Sequence, residues 1–254
     1  FHRLGDQRAH VRVEGRHRLW RLIHHSHLQA PTLHRFGHLD PDVAGSDDHS
    51  AGRLAMHAVQ YPQAIVDQLK EMGVFGLMIP EEYGGLGESL LTYALVVEEI
   101  ARGWMSVSGI INTHFIVAYM IIQHGTEEQK QRYLPRMATG EVRGAFSMSE
   151  PGMGSDVAAI RSKAVREGEE WVLDGQKMWL TNGGSANLVA VLVRTDLGET
   201  DSPYKNMSTF LIDKEAGFGE TAQGVTVPGK IDKMGYKGVD TTELIMQGHR
   251  TGDA

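Results

Sequence analysis

The sequence predicts an α+β protein: an N-terminal α-helical bundle followed by an antiparallel β-barrel or sheet domain. Three observations predict it. From Tyr61 to Gly140, apolar residues recur at helical spacing between cap and stop signals. After Glu141 the pattern changes to short strand-like runs separated by Gly, Asn, Asp and Pro clusters. The chain has 254 residues, 41% of them apolar and 22% charged, enough for one large or two modest domains with a core.

Pro62 suits a first helical position, and Ile65, Val66, Leu69 and Met72 line one face of a helix that Gly73 ends. Residues 74–80 read as a short buried segment and 81–87 as a turn-rich loop. Residues 89–102 and 106–124 read as two helices, apolar over most of their circumference and so central in a bundle; Gly125 closes the second. Thr126-Glu127-Glu128-Gln129 forms a capping box that opens a fourth helix to about Ala138. These helices make a domain over 61–140. In a second domain, 141–254, strands are expected at 142–149, 158–165, 171–179, 186–194, 207–212 and 243–246. Glu167-Gly168-Glu169 and Asp174-Gly175 are the expected hairpin turns.

Residues 1–60 differ from all of this. Up to residue 57 the chain holds 10 of the 13 His and 8 Arg but no Lys, and the first Lys is Lys70. Three readings are open: a metal site built on His24, His25, His27, His34 and His38; a flexible basic arm; or coding sequence read in a shifted frame. The third is favoured, with disorder as its physical consequence. The net charge of −7 argues against a general nucleic-acid binder. The absence of Cys excludes disulfides, thiolate metal sites and cysteine nucleophiles. No apolar signal segment follows Phe1, and the longest apolar stretch, 110–122, carries Asn112 and His114 and is short for a membrane span. A cytoplasmic protein is expected.

Two loops carry the chemistry. In the first, 146–156, Pro151, Gly152 and Gly154 allow a tight turn whose N–H groups could approach a ligand, and Ser149 and Ser155 add hydroxyls. The second, 175–184, sets the plane of Trp179 two residues before the Thr181 hydroxyl, on the same side of a regular strand. A flat ligand with a polar edge suits that pair. Neither loop matches the dinucleotide fingerprint or the P-loop, and on composition alone turn glycines, a core Trp179 and capping hydroxyls are the preferred account.

The motifs Pro80-Glu81-Glu82-Tyr83-Gly84-Gly85, Ser149-Glu150-Pro151-Gly152 with Gly154-Ser155-Asp156, and Gly175-Gln176-Lys177-Met178-Trp179-Leu180-Thr181-Asn182-Gly183 occur in one order. That order resembles the acyl-CoA dehydrogenase family, from about Tyr61 to Thr251. The resemblance implies FAD as cofactor and α,β-desaturation of a fatty or branched acyl-CoA thioester: a carboxylate removes the α proton and the β hydrogen leaves as hydride to flavin N5. It further implies an electron-transferring flavoprotein as partner, a homotetramer, no nucleic acid and no membrane span. Phe146, Met148 and Ser149 are then expected along the flavin's pyrimidine edge, with Gly154, Ser155, Trp179, Leu180 and Thr181 also holding the cofactor. Ser155 and Asp240 are the expected substrate contacts.

Departures are Met153 and Ser147, where the family has small residues, and Thr242, near where some members place an Arg for CoA. By the resemblance, the catalytic Glu lies in a helical domain beyond residue 254, so no catalytic residue is assigned in this chain. The isolated chain is expected to hold FAD weakly and to be inactive. The alternatives are a non-catalytic remnant or interaction module, or an acyl-CoA oxidase on the same scaffold. Glu150 is read as structural, and Glu98 and Glu99 as a solvated helix face.

Overall fold

A computed structural model describes residues 61–195 and 206–252. The readings of segment 1–60 lie outside the described residues.

Helix α1, Gln63–Glu71, buries Val66 and Leu69 and stops where Gly73 takes a left-handed φ of 73°. Pro62 is its N-cap rather than its first turn. Helix α2, Leu90–His124, joins the two expected central helices into one run broken only at Trp104, whose φ of −160° and ψ of 107° are extended. Gly103, a poor helix former, precedes that kink and weakens the run there. Within α2 an 18-residue stretch with a mean hydropathy of 1.6 would suit a membrane span, yet 67% of that stretch is buried within the protein, as in a core helix. Helix α3, Glu127–Ala138, opens with the expected box: Gln129 N–H donates to Thr126 Oγ1 at 3.2 Å and Thr126 N–H to Gln129 Oε1 at 3.0 Å.

Eight strands follow: β1 (Gly144–Ser147), β2 (Lys163–Glu167), β3 (Glu170–Thr181), β4 (Leu188–Thr195), β5 (Met207–Asp213), β6 (Gly219–Ala222), β7 (Val225–Val227) and β8 (Thr241–Thr251). They form one sheet in the order β1-β4-β2-β3-β8-β7-β6, with β5 on β4. The sheet is not wholly antiparallel, because β4 runs parallel to both β1 and β2. Its register places β1 against 188–191 and β2 against 194–195, so both share one edge of β4 while β5 takes the other. The near-continuous apolar run of β4 fits burial on both faces. Leu188 and Ala190 join the helical core, while Val189, Val191 and Val193 join the sheet core.

The expected turn at Asp174-Gly175 is instead the middle of β3. The register with β8 slips between Leu173 and Gly175, and a Cβ on Gly175 would lie 2.3 Å from Ser162 Oγ. That glycine serves a bulge and a close approach, not a reversal. The hairpin at 167–170 does form. Strands β6 and β7, unforeseen, are joined through Gly224 at φ 70°.

Helix α2 rests directly on β1. A Cβ on Gly144 would lie 2.7 Å from Val117 Cβ. His114, fully buried, sets Nε2 against Phe75 O at 3.1 Å and accepts from Gly144 N–H at Nδ1, 3.4 Å away. That pattern requires the neutral ring with Nε2 protonated. Burial drives its pKa down to about 4, with the Arg143 charge adding to the effect against the Phe75 carbonyl.

Two predictions follow from this contact. The unfolded chain takes up a proton at His114 near pH 6.5 and the folded chain only near 4, so stability is full above 6.5 and falls toward pH 4 by about 3 kcal/mol. Urea midpoints at pH 7 and 5 should therefore fall more steeply for wild type than for His114→Gln; equal slopes would remove His114 as the cause. Gly144→Ala should cost about 1–3 kcal/mol by overpacking. Val117→Ala should relieve part of that cost, giving a double-mutant coupling of about 1 kcal/mol.

Candidate functional site

The two loops expected to carry chemistry lie side by side. Met178 N–H donates to Ser149 O at 2.9 Å, which places the first loop against β3. Glu150 and Met153 exchange two backbone hydrogen bonds, at 2.8 and 3.0 Å, around Pro151-Gly152. Neither Gly152 nor Gly154 takes a positive φ, and a Cβ on either would meet no protein atom within 4 Å. The protein thus leaves open the space beside both glycines.

Trp179 and Thr181 lie on either side of buried Leu180, on an irregular stretch of β3 and not on a regularly alternating strand. Between Lys177 and Leu180, three steps along β3 are matched by two along β8, from Leu244 to Thr242. The extra residue makes a bulge, and Trp179 takes a φ of 65°, rare for a bulky side chain. Its indole is 54% exposed. Leu180 is buried in the sheet core, so its side chain is unavailable to a ligand and only its backbone remains. Thr181 is half-buried. Asn182, at φ 65°, donates through Nδ2 to Ile110 O at 2.8 Å and fixes the following turn to α2.

Phe146, Met148 and Ser149 are half-buried, and Ser155 and Gly154 are exposed at the rim. Ser147 is buried, and its hydroxyl has no partner among the described residues. Thr242 is fully buried opposite Leu180, so it cannot stand at a CoA surface. Asp240 also departs from expectation: it is buried, accepts from Gly184 N–H at 2.5 Å, Ser185 N–H at 3.1 Å and Ser185 Oγ at 2.8 Å, and holds a turn instead of facing a thioester. Arg143 reaches the same turn, donating to Ser185 O and Tyr61 Oη. Nearby Lys214 is lowered to about 8 by burial, partly offset by Asp240. Glu98 and Glu99 pair with Arg102 on an exposed helix face.

Lys177 and Glu150 form a buried ion pair at 2.9 Å that the sequence reading did not assign. Lys177 Nζ also donates to Met148 O at 3.0 Å. Glu150 accepts from Arg161 N–H at 2.7 Å and Ser162 N–H at 2.9 Å. Burial pushes the Glu150 carboxyl up, but those amides and Lys177 outweigh it and hold it below the ordinary carboxylate range. Burial lowers the Lys177 ammonium, and Glu150 offsets part of that. The one signal in the sequence is a Lys at an inward position of a strand, between buried Leu173 and Leu180.

Among the described residues, no group of three His, Asp or Glu gathers to hold a metal. The open side instead offers an exposed indole and the hydroxyls of Ser149 and Thr181, none of which has a protein hydrogen-bond partner among the described residues. An exposed aromatic plane and unclaimed hydroxyls, with the Glu150 and Asp240 carboxylates already taken by backbone and side-chain donors, suit a flat heteroaromatic ring with a polar edge.

Family models for the acyl-CoA dehydrogenase N-terminal and middle domains match residues 48–141 and 145–248. The likeness therefore begins before Tyr61. The (2S)-methylsuccinyl-CoA dehydrogenase of Cereibacter sphaeroides is 40% identical over 192 residues, covering 74% of this chain and 34% of that protein. The mitochondrial isovaleryl-CoA dehydrogenase of Solanum tuberosum is 40% identical over 191 residues, covering 74% of this chain and 44% of its own length. A glutaryl-CoA dehydrogenase from Mycobacterium smegmatis, solved with FADH2, superposes with a TM-score of 0.68 at 28% identity, covering 87% of this chain and 52% of that one. The chain thus spans 34% and 44% of the length of these two curated relatives. With a kinked core helix laid on a mixed sheet and two cross-linked loops at their junction, it belongs to the acyl-CoA dehydrogenase family.

Proposed function

We propose that this chain carries the flavin-facing part of an FAD-dependent dehydrogenase acting on acyl-CoA thioesters. The observation that supports this reading best is the bulge that exposes Trp179 beside the unpartnered hydroxyls of Thr181 and Ser149. Bound FAD would accept the hydrogen that leaves the β carbon during α,β-desaturation. Trp179 would pack on the ring system. Thr181 and Ser149 would donate to its polar edges, favouring the reduced form where charge accumulates. Phe146 and Met148 would line the edge through their backbone, Gly154 and Ser155 would border the cofactor, and Ser155 would also contact the acyl-CoA. Neither Glu150 nor Asp240 is a candidate base, because each carboxylate is buried and taken by at least three donors.

Relatives named for isovaleryl and methylsuccinyl groups make branched acyl-CoA thioesters the first substrates to test. An electron-transferring flavoprotein as electron acceptor and a homotetrameric assembly rest on the same family likeness.

Titration of the chain with FAD, followed by flavin fluorescence, tests the cofactor reading. Saturable quenching is expected for wild type. Thr181→Val and Ser149→Ala should each weaken binding about fivefold, the worth of one hydrogen bond. Trp179→Ala should weaken it by about tenfold through lost ring contact. Equal affinity in all three variants would overturn the assignment.

A further inference from the structure

The Lys177–Glu150 pair is costly to bury, and an apolar pair of similar volume would commonly serve stability as well or better. Its position accounts for it. Lys177 lies two residues before Trp179, and Glu150 follows Ser149 directly. The pair ties three segments together: β3, the stretch 148–150 and the stretch 161–162, through Met148 O, Arg161 N–H and Ser162 N–H. The third segment is pressed close, since Ser162 fills the space that a side chain at Gly175 would need.

The contact at Met148 O has a directional consequence. In a trans peptide the carbonyl and the next N–H point opposite ways. With Met148 O held inward by the buried ammonium, Ser149 N–H is aimed outward, away from Lys177. That N–H has no acceptor among the described residues, whereas the Ser149 carbonyl is fixed by Met178 N–H.

We propose that Lys177 and Glu150 act as a positioning pair: by anchoring the Met148–Ser149 peptide to β3 they present Ser149 N–H as a donor to the edge of the flavin ring and set the spacing between Ser149 and Trp179. This rests on the flavin reading given above. Neither residue touches the cofactor; both act through Met148, Ser149 and β3.

The test uses the 254-residue chain as wild type, the single variants Lys177→Met and Glu150→Gln, and the double variant. Each single variant leaves one buried charge without its partner and should lose stability to urea. The double variant removes both charges and should recover a urea midpoint close to wild type. A purely structural pair would then also recover cofactor binding. A positioning pair would not: FAD affinity in the refolded double variant should stay about tenfold weaker than wild type, the scale of a misplaced contact. The visible circular dichroism of its bound flavin should change as well, and amide exchange at Ser149 and Met178 should quicken.

Wild-type affinity and an unchanged flavin spectrum in the double variant would overturn the proposal and leave the flavin reading standing. Absence of saturable FAD binding by wild type would instead overturn the flavin reading, and the proposal with it. An independent measurement needs no variant. In nuclear magnetic resonance of the wild-type chain, the Ser149 amide proton should move downfield on adding FAD, and a resonance that does not move would overturn the proposal even if the double variant fails to fold.

Discussion

The close approach of α2 to the sheet at Gly144 is the constraint on which the site depends. Because that residue has no Cβ, Val117 packs against strand backbone. The same proximity lets His114 reach both Phe75 O and Gly144 N–H, and lets Asn182 reach Ile110 O. Two of these bonds, His114 with Gly144 and Asn182 with Ile110, cross from α2 to the β domain and require the two backbones to be within a side chain's length. A lift of β1 would break the Gly144 bond to His114 and carry Phe146, Met148 and Ser149 away from β3. Helix packing and site geometry are therefore one problem in this chain.

Features set by a few adjacent residues were legible in the sequence. The capping box at Thr126 and the stop at Gly73 need only local geometry, and both form as read. What depended on distant partners was not. Alternation along β4 cannot say whether β1 runs parallel or antiparallel beside it, although its unbroken apolar run hinted at burial on both faces. Asp174-Gly175 has turn composition, yet Ser162, just before β2, occupies the space above the glycine, where β3 carries a bulge. Asp240 sits in a family-like motif, but the amides that claim its carboxylate lie 55 and 56 residues away. Regular alternation was the basis for pairing Trp179 with Thr181, whereas the strand there carries a bulge and a left-handed residue that no local pattern announces.

The buried carboxylates follow a common rule. Glu150 accepts from the successive amides of Arg161 and Ser162, and Asp240 from those of Gly184 and Ser185. Both amide pairs lie where the chain leaves regular structure, so they lack strand partners and would otherwise be buried unsatisfied. A carboxylate supplies acceptors for two consecutive N–H groups at once, as a backbone nest prefers. The irregular loops near the candidate site are thus held by acids that are spent on backbone and have no capacity left for proton transfer.

The charges buried beneath the loops are balanced internally: Lys177 by Glu150, while Asp240 lies near Lys214 and Arg143. Outward lie an indole and hydroxyls, groups that recognise a ring by surface contact and by edge hydrogen bonds, with Asp156 exposed at the end of the first loop. Two left-handed residues, Trp179 and Asn182, flank Leu180 and Thr181. Such conformations cost of order 1–3 kcal/mol each and persist only where the surroundings impose them. Here Leu180 in the sheet core and Asn182 on Ile110 O supply that imposition from both ends. The strain is thereby confined to the four residues that turn Trp179 and Thr181 outward, which is where a rigid ring would need the chain held still.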